Sequence, residues 1–276
     1  MTVGICGLGL IGGSMAKAYQ EDGHTVLGYD ANVATQGYAL LDGIINDELN
    51  LDTIKNCELI FVALYPEATV KYLYEIAPHV SSSTVIIDLC GIKESVCSHG
   101  FALAEKYGFT FVGGHPMAGK QFSGIKHSKA TLFKNAPMVL VPPTFDDIEF
   151  LDRIKSLLLP AGFGKLTVTT AEEHDKMIAF TSQLAHVVSN AYVKSPTAQS
   201  HKGFSAGSYK DLTRVAWLNE NMWTELFLAN KEPLLFELDN IINSLNEYKK
   251  AIEDDDSDTL RSLLRDGRIA KELVDG

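Results

Sequence analysis

Three glycines, one acid and three histidines are the residues of this 276-residue chain whose types and spacing suit chemistry. Gly7-Leu8-Gly9-Leu10-Ile11-Gly12 follows the apolar run TVGIC and opens a helical pattern. In that setting Gly7 permits a tight turn, Gly9 lets the backbone approach a pyrophosphate, and Gly12 lets the helix pack closely on the strand. The helix beginning at Leu10 and Ile11 turns its positive end toward the same point. A glycine triplet alone is common in turns; the strand before it and the helix after it give this one its meaning. The next apolar run, TVLGYD, ends in Asp30, an acid placed to accept hydrogen bonds from both hydroxyls of an adenine ribose. Ala31 and Asn32 follow, with no arginine to hold a 2′-phosphate, so NAD is expected rather than NADP.

A second constellation is Gly113-Gly-His115-Pro-Met-Ala-Gly119, read as a loop just after the fifth strand. Ligands of open parallel sheets sit outside the carboxyl ends of the strands, which puts His115 on the cofactor side. A histidine there can take a carbinol proton near neutral pH while hydride leaves the same carbon. The plainer alternative is a loop histidine satisfied by backbone groups. Farther on come His174-Asp175, then Ser182 and His186 one turn apart, then GFSAGSYKDLTRVA, which contains Gly207 and Arg214. Arg214 is the only arginine between Arg153 and Arg261 and could fork onto a carboxylate. It could equally pair with Asp211 at the surface. His186 lies on a mostly apolar helix, where a satisfied core histidine is the commoner outcome, and Lys93 reads as a solvated lysine at a helix start.

The elements that must position these residues are legible as two patterns. Near-continuous apolar runs at 2–6, 25–30, 58–64, 84–90, 109–113 and 137–143 read as strands buried on both faces of a parallel sheet. Helical stretches at 11–22, 67–77, 95–106 and 147–159 separate or follow them, which predicts a doubly wound α/β Rossmann-type domain. After Thr170 the strands stop, and 172–194, 210–229, 233–254 and 258–274 read as long helices, with Ser257 and Asp258 capping the last. The expected organisation is an NAD-binding domain over 1–168 and an all-α domain over 169–276.

Composition narrows the partners. Lys and Arg total 24 against 35 Asp and Glu, a formal charge of −11, so no nucleic acid and no anionic membrane surface is expected as partner. The acidic run EDDDSD reads as a solvated turn and helix start. Cys6, Cys57, Cys90 and Cys97 form no CxxC pair and no zinc-like spacing, so they read as reduced thiols of a cytoplasmic protein without a metal. No secretory signal and no membrane-spanning stretch is evident.

GLGLIGGS, GGHPMAG, HD…SQLAH and GSYKDLTRVA…MW, in this order from Val3 to about Lys231, resemble the prephenate/arogenate dehydrogenases of tyrosine biosynthesis. The resemblance implies a Rossmann domain joined to an all-helical domain that dimerises. It implies NAD-dependent oxidative decarboxylation of prephenate or arogenate, a small anionic substrate. His115 matches the family's catalytic histidine, Arg214 the arginine that binds a substrate carboxylate, and His186 a second histidine of the substrate pocket. Gly207, Asp211 and Trp223 match pocket or dimer-contact positions. Two positions depart from the pattern: Gly91 stands where a serine is frequent, and Gln121 where a glutamate is. Competing readings are a β-hydroxyacid or imine reductase of related architecture, and a dinucleotide-binding sensor without catalysis.

Overall fold

The apolar runs form strands because their β-branched and aromatic side chains pack on both sides of a pleated sheet. The computed structural model describes residues 1–275 apart from Gln121 and Ser205. Its strands are β1 (Thr2–Cys6), β2 (Thr25–Tyr29), β3 (Asp47–Glu48), β4 (Leu59–Val62), β5 (Val85–Asp88), β6 (Thr110–Pro116), β7 (Pro137–Val141) and β8 (Lys165–Val168). They form one sheet in the order β3-β2-β1-β4-β5-β6-β7-β8. Every residue of β4 and β5 is buried, between one layer that includes Met15, Tyr19, Phe133 and Ile154 and another that includes Leu73, Ile76, Val96 and Leu103.

Helices α1 (Leu10–Glu21), α2 (Val33–Leu41), α3 (Pro66–Ile76), α4 (Glu94–Tyr107) and α5 (Ile148–Leu158) accompany the sheet. Beyond Val168 the described chain is helical: α6 (Ala171–Ile178), a π-helical segment at Ala179–Leu184, α7 (Ala185–Tyr192), α8 (Gly207–Thr213), α9 (Glu220–Ala229), α10 (Lys231–Glu253) and α11 (Ser257–Asp275). Thr170 starts α6 by accepting from the Glu173 amide.

Several expectations need correction. The sheet is not wholly parallel: β7 runs antiparallel to β6, pairing Gly113 with Val141 and His115 with Val139. A parallel return needs a crossover helix. Among the described residues of 117–136 there are only two 3₁₀ turns, which pack on α1 through Lys129 N–H to Ser14 Oγ (3.0 Å), so the chain re-enters from the edge it left. His115 therefore lies within β6, not in a loop. The short β3 and the largely exposed β8 lack apolar runs and gave no signal, and α2 starts on an Asn32 cap that accepts from Ala34 and Thr35. The stretch 210–229 is not one helix: Asn219 accepts from the Met222 amide and starts α9 afresh, with Trp217 exposed in the break. The last helix is capped by Asp256, which accepts from Asp258 and Thr259, rather than by Ser257 or Asp258.

Candidate active site

The glycine turn stands at the carboxyl edge of β1. Gly7 has φ +84°, a conformation that favours glycine, and a Cβ at Gly12 would lie 1.7 Å from the Gly7 carbonyl oxygen. A Cβ at Gly9, by contrast, would meet nothing within 4 Å. No side chain caps α1, so its first-turn amides at Leu10 and Ile11 have no protein acceptor of that kind. Asp30 sits beside this turn: its Oδ2 accepts from Leu8 N–H and its Oδ1 from Asn32 N–H, both at 2.8 Å. Open space at Gly9, uncapped amides and an adjacent carboxylate fit a dinucleotide, with Gly7, Gly9, Leu10, Ile11, Gly12 and Asp30 around it.

Two strands away, Asp88 ends β5 in a fully buried ion pair with Lys93. The carboxylate also accepts from Cys90 N–H (2.9 Å) and Gly114 N–H (3.2 Å), tying the β5–α4 loop to β6. Lys93 is thus no solvated lysine. Burial opposes its charge, yet the Asp88 carboxylate more than offsets this and holds its pKa above the usual lysine value. Removing one partner of such a pair leaves an uncompensated buried charge, at about 3–5 kcal/mol. The four cysteines are buried and unpaired, and burial pushes the Cys90 thiol up to about 12, which keeps it protonated beside the site.

His115 projects from the end of β6, half-buried. Its Nδ1 lies 2.9 Å from Nε2 of the buried His174, and His174 Nδ1 lies 2.7 Å from Asp175 Oδ1. Asp175 accepts from the amides of Lys93 (2.7 Å) and Glu94 (2.8 Å) at the start of α4. Burial, then His174 and Lys93, hold the pKa of His115 well below the ordinary 6.5, so the ring is neutral at pH 7. Its Nε2 faces Gly91, where a Cβ would stand 4.0 Å away and 3.5 Å from Leu226 of α9.

Helix α9 links this centre to the helical half. Trp223, one turn before Leu226, packs against His186 with ring centroids 4.0 Å apart. His186 Nδ1 donates to the Ser182 carbonyl in the π segment (2.8 Å), and burial, with Arg214 nearby, lowers its pKa. His186 is therefore half-buried and satisfied by the Ser182 carbonyl, with an arginine nearby. Arg214 is exposed at the end of α8, and no carboxylate pairs with it among the described residues, so the surface pair with Asp211 is absent. Gly207 opens α8 with open space beside it. Gln121 lies outside the described residues.

The structure thus brings together the glycine turn and Asp30, then His115 with Gly91, and His186 with Arg214. Sequence reading missed Asp88 and the roles of Lys93, His174 and Asp175. A charge ending the apolar run TVIID was a signal for Asp88, but nothing in sequence joins His174 to His115, 59 residues away. Among the described residues no cluster of metal-ligating side chains exists, and no helix is long and apolar enough to cross a membrane.

Comparisons with known proteins agree with this geometry. Residues 15–166 match the family described as prephenate dehydrogenase, nucleotide-binding domain, and 170–266 match prephenate dehydrogenase, dimerization domain. The prephenate dehydrogenase of Bacillus subtilis is 30% identical over 286 residues, covering 100% of this chain and 76% of that protein. The crystal structure of prephenate dehydrogenase from A. aeolicus, in complex with hydroxyphenyl propionate and NAD+, superposes with a TM-score of 0.83 at 25% identity over 99% of this chain and 98% of that one. Synechocystis arogenate dehydrogenase gives 0.81 at 26% identity, covering 99% and 100%.

Proposed function

The chain belongs to the prephenate dehydrogenase family, and from that premise we propose that it oxidatively decarboxylates prephenate, or its amino analogue arogenate, with NAD in tyrosine biosynthesis. The observation that carries this reading is a neutral His115 on the rigid end of β6. Its Nε2 faces Gly91, a residue without a side chain, at the carboxyl end of the sheet that also bears the glycine turn.

NAD, when bound at the glycine turn, would supply the two-electron acceptor for the hydride that leaves the substrate's C4 carbinol carbon. His115 Nε2 receives the proton of the C4 hydroxyl. As the ring carboxylate leaves as CO2, the C1–carboxyl electrons enter the ring, which becomes aromatic, and the C4 oxygen takes back the proton held by His115 to give a phenol. Arg214, which pairs with no carboxylate among the described residues, holds a substrate carboxylate, and His186 and Trp223 wall the pocket. The turn at Gly7, Gly9 and Gly12 with the amides of Leu10 and Ile11 would hold the pyrophosphate, and Asp30 would take the ribose hydroxyls while repelling a 2′-phosphate. Positioning of base, clamp and cofactor is what such a site contributes to rate.

The division at 168/169 is our reading of the domains, and we place the protein in the cytoplasm, where four buried thiols remain reduced. We also assign it as a homodimer. Leu235, Ile242, Leu245 and Ile252 form an exposed apolar stripe at heptad spacing along α10, inside the segment that matches a dimerization domain. The reductase alternative lacks support: no Lys-xxx-Asn lies between α6 and α7. A catalytically silent sensor would not need a histidine held neutral with its Nε2 turned toward Gly91. Parallel assays of NADH formation with prephenate and arogenate test the proposal; failure with both refutes it.

A further inference from the structure

The hydrogen bonds around His115 carry information about the proton positions on three side chains. Asp175 accepts two backbone N–H bonds from the start of α4, and these hold its carboxylate in one orientation. The group beside Asp175 Oδ1 at 2.7 Å is His174 Nδ1, which must be the donor, because a carboxylate only accepts. A neutral His174 then has a lone pair on Nε2, which can only accept. The contact at 2.9 Å therefore requires a proton on His115 Nδ1, and this leaves His115 Nε2 as a lone pair directed at Gly91.

We propose that His174 and Asp175 are positioning residues for the reaction, fixing the tautomer and ring plane of His115 so that Nε2 is the base. The hydrogen-bonded chain begins at donor amides at the start of a fourteen-residue helix and ends at the reacting imidazole. Asn230 steadies the same corner: its side chain donates to the Asp175 carbonyl and to Gln183, both at 2.8 Å. When His115 takes the substrate proton, the imidazolium keeps its Nδ1–H on His174, whose own Nδ1–H rests on the Asp175 carboxylate. The positive charge is thus stabilised through two hydrogen bonds without Asp175 touching the substrate.

This inference rests on His115 being the base, and its test separates the two claims. Nitrogen-15 NMR of the resting wild-type enzyme at neutral pH reads the tautomer without turnover: His115 is expected to carry its proton on Nδ1. His174→Leu removes the acceptor, whereas His174→Gln restores an amide oxygen at nearly the same reach. The leucine variant is expected to lose about 100-fold in kcat, within the range a general base contributes, with KM and NAD affinity within twofold of wild type. The glutamine variant recovers at least tenfold of that loss. A proton on His115 Nε2 in an active enzyme, or equal rates in the two variants, overturns the proposal. Should the leucine variant not fold, the wild-type tautomer alone decides. A wild type that turns over neither ring substrate refutes the proposed function and leaves the tautomer to be read separately.

Discussion

His115 is the residue on which the chemistry turns, and its environment makes definite demands. His115→Asn keeps a polar side chain of similar reach but no base, so kcat is expected to fall at least ~10²-fold with NAD affinity retained. Titration calorimetry and initial rates check both. Because burial holds the His115 pKa well below 6.5, kcat/KM stays level from pH 7 down past 6.5 and falls only in more acid solution. The same burial has a stability consequence. In the unfolded chain the ring takes a proton near pH 6.5, before the folded one does, so the fold loses stability as pH drops below that value. A pH-rate profile with its acid limb above 6.5 would contradict this environment. At Gly91 the nearest neighbours of an added Cβ are at ordinary contact distance, and φ is not in the left-handed region. Gly91→Ser is expected to fold normally and to raise kcat/KM a few-fold, on the order of 1 kcal/mol from one added hydroxyl contact. The sequence showed which residue types were present here but not their partners. His115 was legible from the motif at the end of a predicted strand, whereas the burial of Lys93 and the bond to His174 arise from contacts distant in sequence.

Among the elements, the turn from β1 into α1 is where packing and ligand can be told apart. Gly12 is needed by the protein itself, since a Cβ there would strike the Gly7 carbonyl oxygen. Gly9 is not, since nothing stands within 4 Å of its Cβ position. Gly12→Ala is therefore expected to destabilise the fold by at least the ~1–3 kcal/mol of core overpacking. Gly9→Ala should melt as wild type does but bind NAD more weakly, because a methyl group enters the space for the pyrophosphate. Denaturant melts and calorimetry distinguish the two, and loss of stability in Gly9→Ala would contradict the assignment. The glycine spacing and the buried strands were readable because each follows from local pattern. The antiparallel β7 was not, because strand direction depends on whether the connection carries a helix, and 117–136 forms 3₁₀ turns packed on α1. The break before α9 escaped for a related reason: one asparagine cap outweighed a sequence of good helix formers.

For the molecule as a whole, the exposed stripe on α10 sets the expectation of assembly. Leu245, 59% exposed, and Ile252, 61% exposed, are costly to leave in water on a chain of net charge −11. Leu245→Asp with Ile252→Asp should shift a dimer to monomer in sedimentation equilibrium, while a wild-type monomer at micromolar concentration would refute the dimer. An acidic protein acting on an anionic substrate needs local positive charge, and the helix end at Leu10 and Arg214, without a carboxylate partner among the described residues, provide it. The most direct measurement of the central claim is the stoichiometry of NADH and CO2 produced from prephenate and, in parallel, arogenate. One NADH and one CO2 per substrate consumed, with an aromatic product and with the rate abolished in His115→Asn, is the expected result. NAD binding without NADH from either substrate, or NADH without CO2, would contradict it.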